Sequence, residues 1–139
     1  MKLIFPKLIV ATSAAISLSA CVTTDANGVR HNTAHRTAIS GERTKVGFAY
    51  YIAPDCSVIS IPNAKIVKEP QHGRIESVRE TGYPRGTGER RKCNSTRVSG
   101  LAGYYTSDKG FAGKDSLTAR FSAGNGYVSE TVVDISVIK

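Results

Sequence analysis

The sequence predicts an all-β fold, an antiparallel sandwich of about seven short strands, and three observations carry that expectation. Leu117, Ala119 and Phe121 alternate with Ser116, Thr118 and Arg120, and Thr131, Val133, Ile135 and Val137 alternate with Glu130, Val132, Asp134 and Ser136. This is the period-two pattern of strands with one buried face. Glycine, proline and asparagine clusters punctuate the chain at short intervals, as turns between strands require. After the first twenty residues no stretch shows the 3.6-residue apolar period of an amphipathic helix.

The N-terminus reads as an export signal. Lys2 and Lys7 precede and flank an apolar run from Leu8 to Leu18, too short for a bilayer-spanning helix of roughly 20 residues. Residues 22–43 are polar and lack an apolar period, which predicts a flexible tether with the folded domain beginning at Thr44. His31 and His35 lie within that tether, and two histidines on a mobile segment make an incomplete metal site, so no metal is expected.

Val46, Phe48 and Tyr50 alternate with Gly47, Ala49 and Tyr51 and predict the first strand. Pro54-Asp55 turns the chain into a short apolar stretch, Ser57 to Ile61. Ala64 to Glu69 and Arg74 to Val78 flank Pro70-Gln71-His72-Gly73, the pattern of a hairpin with an exposed His72 in its turn. From Arg79 to Arg97 the alternation stops and six basic side chains gather against two acidic ones, with three glycines and a proline. A loop this long and this basic is either a binding site or a solvated segment on a tolerant edge. Tyr83, Arg85, Arg90, Arg91, Lys92 and Arg97 are the candidate anion- or partner-binding residues. Its Gly-Thr-Gly is no phosphate-binding fingerprint, because no helix follows to receive a phosphate at its N-terminus.

Order resumes at Val98. Tyr104-Tyr105-Thr106 leads into a corner where Gly110 and Gly113 bracket Phe111, which predicts a bent connection that swings Phe111 into the core as a plug. Asp115 is placed to cap backbone at that corner. Ser122 to Gly126 is a hairpin turn, and Tyr127 to Ile138 is the closing strand.

Two resemblances add to this reading. Leu18-Ser19-Ala20-Cys21 resembles the lipobox of bacterial lipoproteins. That resemblance implies cleavage before Cys21, lipid on its sulfur and its new amino group, and attachment to the cell envelope. Val22, where an aspartate would retain the protein at the inner membrane, favours the outer one. With Cys21 acylated, Cys56 and Cys93 remain as an even pair in an oxidising compartment and predict a disulfide. Cleavage also removes Lys2 and Lys7 from 19 basic residues set against 11 acidic ones, leaving a net charge of +6. Anionic envelope polymers are then the favoured partners, and the address argues against nucleic acid.

Residues 64–75 and 105–117, with Pro70-Gln71-His72-Gly73 and Tyr105-Thr106-Ser107-Asp108-Lys109-Gly110-Phe111-Ala112-Gly113-Lys114-Asp115-Ser116, are similar to bacterial immunoglobulin-like, cadherin-like modules. The similarity implies an immunoglobulin-like sandwich in an adhesive or spacer role, and makes Tyr105, Gly110, Phe111, Gly113 and Asp115 the structural corner. The chain has a single module and lacks the clustered acids of calcium-binding cadherins, so calcium is not expected. It is similar too to small exported lipoproteins of alphaproteobacteria, a likeness that brings no activity with it.

The functional expectation is a non-enzymatic lipoprotein, without cofactor, that binds an anionic glycan, lipopolysaccharide or an envelope protein through the basic loop. The alternatives are a periplasmic inhibitor or accessory factor for an enzyme, and a structural spacer. A basic chain suits an acidic target and would be repelled by a cationic one. No combination of nucleophile, base and stabiliser is spaced for catalysis.

Overall fold

A computed structural model describes residues 22–139; Cys21 and the apolar leader, residues 1–20, lie outside the described residues. The strands are β1 (Thr23–Thr24), β2 (Arg30–Ile39), β3 (Arg43–Ala49), β4 (Tyr51–Ile52), β5 (Val58–Ser60), β6 (Asn63–Lys68), β7 (Gly73–Gly82), β8 (Val98–Ser107), β9 (Gly113–Ser122) and β10 (Val128–Ile138). One sheet has the order β1-β2-β10-β9-β6, a second the order β3-β8-β7, and β4 pairs with β5 in a small ribbon. The sequence β3-β8-β7 facing β10-β9-β6 is the B-E-D and G-F-C arrangement of immunoglobulin-like sandwiches. The expected all-β sandwich is therefore present. Seven of its strands form the two layers, with β1, β4 and β5 as additions.

The tether is not. Residues 30–39 form β2, which pairs with β10 through ten successive rungs from Arg30 opposite Ser129 to Ile39 opposite Ile138. Those rungs are parallel, so the sandwich is not wholly antiparallel. The segment lacks apolar alternation because its inward residues are Asn32, Ala34, Arg36 and Ala38, of which Ala38 alone is buried. Polar bonds do the rest. Arg36 reaches across the layers to donate to the Val46 carbonyl at 2.7 Å, and Thr131 donates to Asn32 at 2.8 Å. On the outer face, His31 lies 3.0 Å from Asp25 and His35 lies 3.4 Å from Asp134.

The predicted hairpin through Pro70 is also corrected. β6 pairs with β9 in one sheet and β7 with β8 in the other, so Glu69 to His72 crosses between layers. Asp115 makes that crossing. Its carboxylate accepts from the Gln71 and His72 amides at 2.9 and 3.0 Å, from its neighbour Ser116 at 2.8 Å, and from the Tyr105 hydroxyl at 2.8 Å. His72 is not the exposed turn residue expected: its ring stacks on Phe111 at 4.1 Å, leaving both half-buried. Phe111 packs against the edge of the core as the plug expectation has it, and Gly110 and Gly113 hold φ of 84° and 144°, the region glycine alone enters freely.

The core between the layers is Ala38, Val46, Tyr105, Leu117, Ala119, Val133, Ile135 and Val137. Three of the four inward residues read from β10's alternation, Val133, Ile135 and Val137, are buried there, and Thr131 is half-buried. β10 itself lies inside its sheet, flanked by β2 and β9, not at an edge.

Because β2 covers one side of β10, a chain starting at Thr44 should lose cooperative unfolding in urea, whereas one starting at Val22 should unfold in a single transition. Asp115 gives a second test. Burial raises its pKa, but the hydrogen bonds from Gln71, Tyr105, His72 and Ser116 outweigh that and hold it below its ordinary 3.8. A depressed folded-state value stabilises the fold above the unfolded pKa and is lost as pH falls through the folded one. Asp115→Asn should therefore cost about 2–3 kcal/mol at neutral pH, with the deficit shrinking below about pH 4 in urea titrations.

Candidate functional site

Alternating strand directions sort the connections into two groups. β3 ends, β6 and β8 begin, and β9 turns into β10 at one end of the sandwich, so residues 53–57, 83–97 and 123–127 meet there. In immunoglobulin-like folds this clustering of loops at one end is where binding surfaces are built.

The loops are cross-pinned. Cys56 and Cys93 form the expected disulfide, joining the β4–β5 turn to the basic segment. Cys93 is fully buried with Ile52 and Val98 in a second, smaller core to which Phe48 and Tyr50 contribute. The Tyr51 and Tyr127 rings stack at 6.5 Å, Asn125 donates to the Tyr51 hydroxyl at 2.7 Å, and Ser60 donates to the Ala123 carbonyl at 3.2 Å. The Arg85 amide donates to the Tyr50 hydroxyl at 2.7 Å.

The segment from Arg79 to Arg97 is not one long loop. β7 extends to Gly82, and Gly88–Ser95 is a 3-10 helix. Asn94 clasps Gly86, accepting from its amide at 2.7 Å and donating to its carbonyl at 3.2 Å. The six residues expected to bind a partner divide accordingly. Arg90 donates to the Ile52 carbonyl at 3.2 Å and Arg97 to the Thr81 hydroxyl at 2.7 Å, so both guanidinium groups are engaged in structure. Tyr83, Arg85, Arg91 and Lys92 project outward, Tyr83 with 58% of its surface exposed. Among the described residues none of these three cations has an ion-pair partner within reach, whereas the strand-borne Arg43, Lys45 and Arg120 pair with Glu76, Glu80 and Glu130. Nearby Asp55 is held below its ordinary pKa by Ser57's side-chain and backbone bonds, with Lys92 a weaker influence.

Between the layers at this end opens a groove of about 590 Å³, lined by Tyr50, Tyr51, Tyr127, Phe48, Arg36 and Arg85. Sequence reasoning missed it. Tyr50 and Tyr51 come from the β3–β4 junction and Tyr127 from the β9–β10 turn, and nothing local in the sequence brings them together. The groove offers aromatic faces and hydrogen-bond donors, which suit binding. Among the described residues no three His, Cys, Asp or Glu side chains are grouped to hold a metal. No helix among them is long and apolar enough to cross a membrane.

The structural corner, Tyr105, Gly110, Phe111, Gly113 and Asp115, assembles at the opposite end. Burial, and then the Asp115 carboxylate, push the Tyr105 phenol well above its ordinary pKa. Its hydroxyl lies within 3.2 Å of the His72 carbonyl.

No protein-family model matches the sequence, and no curated protein matches it. Among solved structures the chain is similar to a 2,6-sialyltransferase of Vibrionaceae Photobacterium sp. JT-ISH-224, with 14% identity and a TM-score of 0.34. The similarity covers 79% of this chain and 18% of that one. At that level nothing about activity transfers.

Reducing the disulfide should loosen the loop end before the sandwich. Cys56→Ser with Cys93→Ser should cost about 3–4 kcal/mol in urea unfolding and make the segment 83–97 the first site of proteolysis, with the β9–β10 pair still protected.

Proposed function

We propose that the chain is a non-enzymatic cell-envelope lipoprotein, held through lipid on Cys21, whose immunoglobulin-like domain binds an anionic component at its loop end. The observation that carries the reading is that Arg85 lines an aromatic groove at the loop end, while Arg91 and Lys92, exposed on the 3-10 helix of the same connection, have like Arg85 no ion-pair partner among the described residues. Cations left without carboxylate partners on a rigid end are ready to meet phosphate or carboxylate groups, and tyrosine faces beside them accept sugar or lipid surfaces. Disulfide and aromatic pinning limits the ordering cost of such an encounter. The outer membrane is the favoured address, on the residue that follows Cys21.

The test is binding of residues 22–139 to lipopolysaccharide and to acidic glycans at low and physiological salt. Arg91→Gln with Lys92→Gln should weaken binding roughly tenfold at low salt and flatten its salt dependence. Arg43→Gln, which breaks a paired strand charge, should leave binding unchanged. Binding insensitive to both salt and the double variant would refute the loop as the site, and no binding at all would leave a spacer.

A further inference from the structure

β2 runs parallel to β10, so both strands start at the loop end. Arg30, the first residue of β2, places its guanidinium 5.4 Å from the centre of the Tyr127 ring in the β9–β10 turn. β1 pairs antiparallel with β2, Thr23 with His31 and Thr24 with Arg30, so it lies beside the first two rungs of β2 and runs toward the loop end, with the residues before Thr23 on the side away from that end. Only Val22 stands between Thr23 and Cys21. Two residue steps reach at most about 7 Å, whichever direction they take. A lipid on Cys21 is therefore held close to the sandwich, beside the sheet edge at β1 and within a few rungs of the loop end.

The charges are polarised along the same axis. Connections 25–29, 53–57, 83–97 and 123–127 carry Arg85, Arg90, Arg91, Lys92 and Arg97 against Asp25, Asp55 and Glu89. Connections 40–42, 69–72 and 108–112, at the far end, carry Lys109 alone against Glu42, Glu69 and Asp108. A ten-residue strand such as β2 separates the two ends by roughly 30 Å, several Debye lengths at physiological salt. Arg43, Lys68, Arg74 and Lys114 at the adjoining strand ends offset the acids of the far connections, so the far end is not net acidic and the loop end is the more cationic of the two; an anionic surface therefore attracts the loop end more strongly. Tyr83, 58% exposed, adds an amphipathic side chain at the loop end.

We propose that the anchored domain sits loop end down, and that Arg85, Arg91 and Lys92 engage the phosphates of anionic phospholipid headgroups in the leaflet that holds the Cys21 acyl chains. The proposal rests on the lipid anchor and cationic loop end of the reading above, and replaces a tethered, freely turning domain by an oriented one.

The test uses the full acylated chain in vesicles, with a fluorescent label on Thr87→Cys at the loop end or on Ala112→Cys at the far end, and a quencher carried on lipid headgroups. In mixed phosphatidylglycerol–phosphatidylcholine vesicles the Thr87 label should be quenched several-fold more than the Ala112 label. Arg91→Gln with Lys92→Gln, or pure phosphatidylcholine, should erase most of that difference. Equal quenching at both labels, or stronger quenching at Ala112, overturns the orientation while leaving binding of soluble anionic glycans by the loop intact. A Thr87 signal indifferent to headgroup charge overturns headgroup recognition. A mature N-terminus whose mass shows no acyl chain on Cys21 removes the anchor, and the proposal falls with it.

Discussion

One buried carboxylate joins the two layers of this sandwich. Asp115 belongs to β9, and it binds both the crossing that carries the chain from β6 to β7 and the Tyr105 hydroxyl on β8. A carboxylate taken out of water is costly unless its lone pairs are filled by well-placed donors. Here four donors converge, two of them amides of a turn that would otherwise have no reason to leave its own sheet. Tyr105 is fully buried by the arrangement and becomes the largest side chain of the core.

Closing one end in this way leaves the other to be built differently. At the Asp115 end, connections are short and satisfy one another: Ser107 accepts from the Gly41 amide, Ser40 from the Gly110 amide, and the His72 carbonyl from the Asp108 amide. At the loop end, longer connections depend on a disulfide, a tyrosine stack and a small separate core. Three strand cations, Arg43, Lys45 and Arg120, have cross-strand carboxylate partners, while Arg85, Arg91 and Lys92 at the loop end have none among the described residues. The molecule is thus asymmetric along its strands in closure, charge and shape, and the parallel pairing of β2 puts the N-terminal side of the chain at the open, cationic end.

The parts of the fold that rest on local pattern were legible in the sequence. Leu117 and Ala119, and Val133, Ile135 and Val137, all point inward as their alternation required, and the glycines of the corner hold the backbone angles expected of them. The features that escaped depend on distant partners. Pro70 to Gly73 has the same local chemistry whether it closes a hairpin or crosses between sheets, and Asp115, far along the chain, decides between them. β2 escaped because it buries little. Its place comes from backbone pairing to β10 and from Arg36 reaching the Val46 carbonyl, neither of which leaves a periodic apolar trace. The candidate site was legible in outline, as a cluster of cations near Cys93. That Arg90 and Arg97 would be spent on Ile52 and Thr81, and that tyrosines from two other connections would line a groove beside Arg85, required the fold itself.

The central claim is that residues 30–39 belong to the sandwich, since that pairing fixes which end of the domain faces the N-terminal side of the chain. Amide hydrogen exchange tests it most directly. Within residues 30–39, the amides bonded to β10 should exchange about as slowly as those of the β9–β10 ladder and be released with them in global unfolding. Exchange of the whole segment at the rate of an unstructured peptide, with β9 and β10 still protected, would restore the tether and contradict the account.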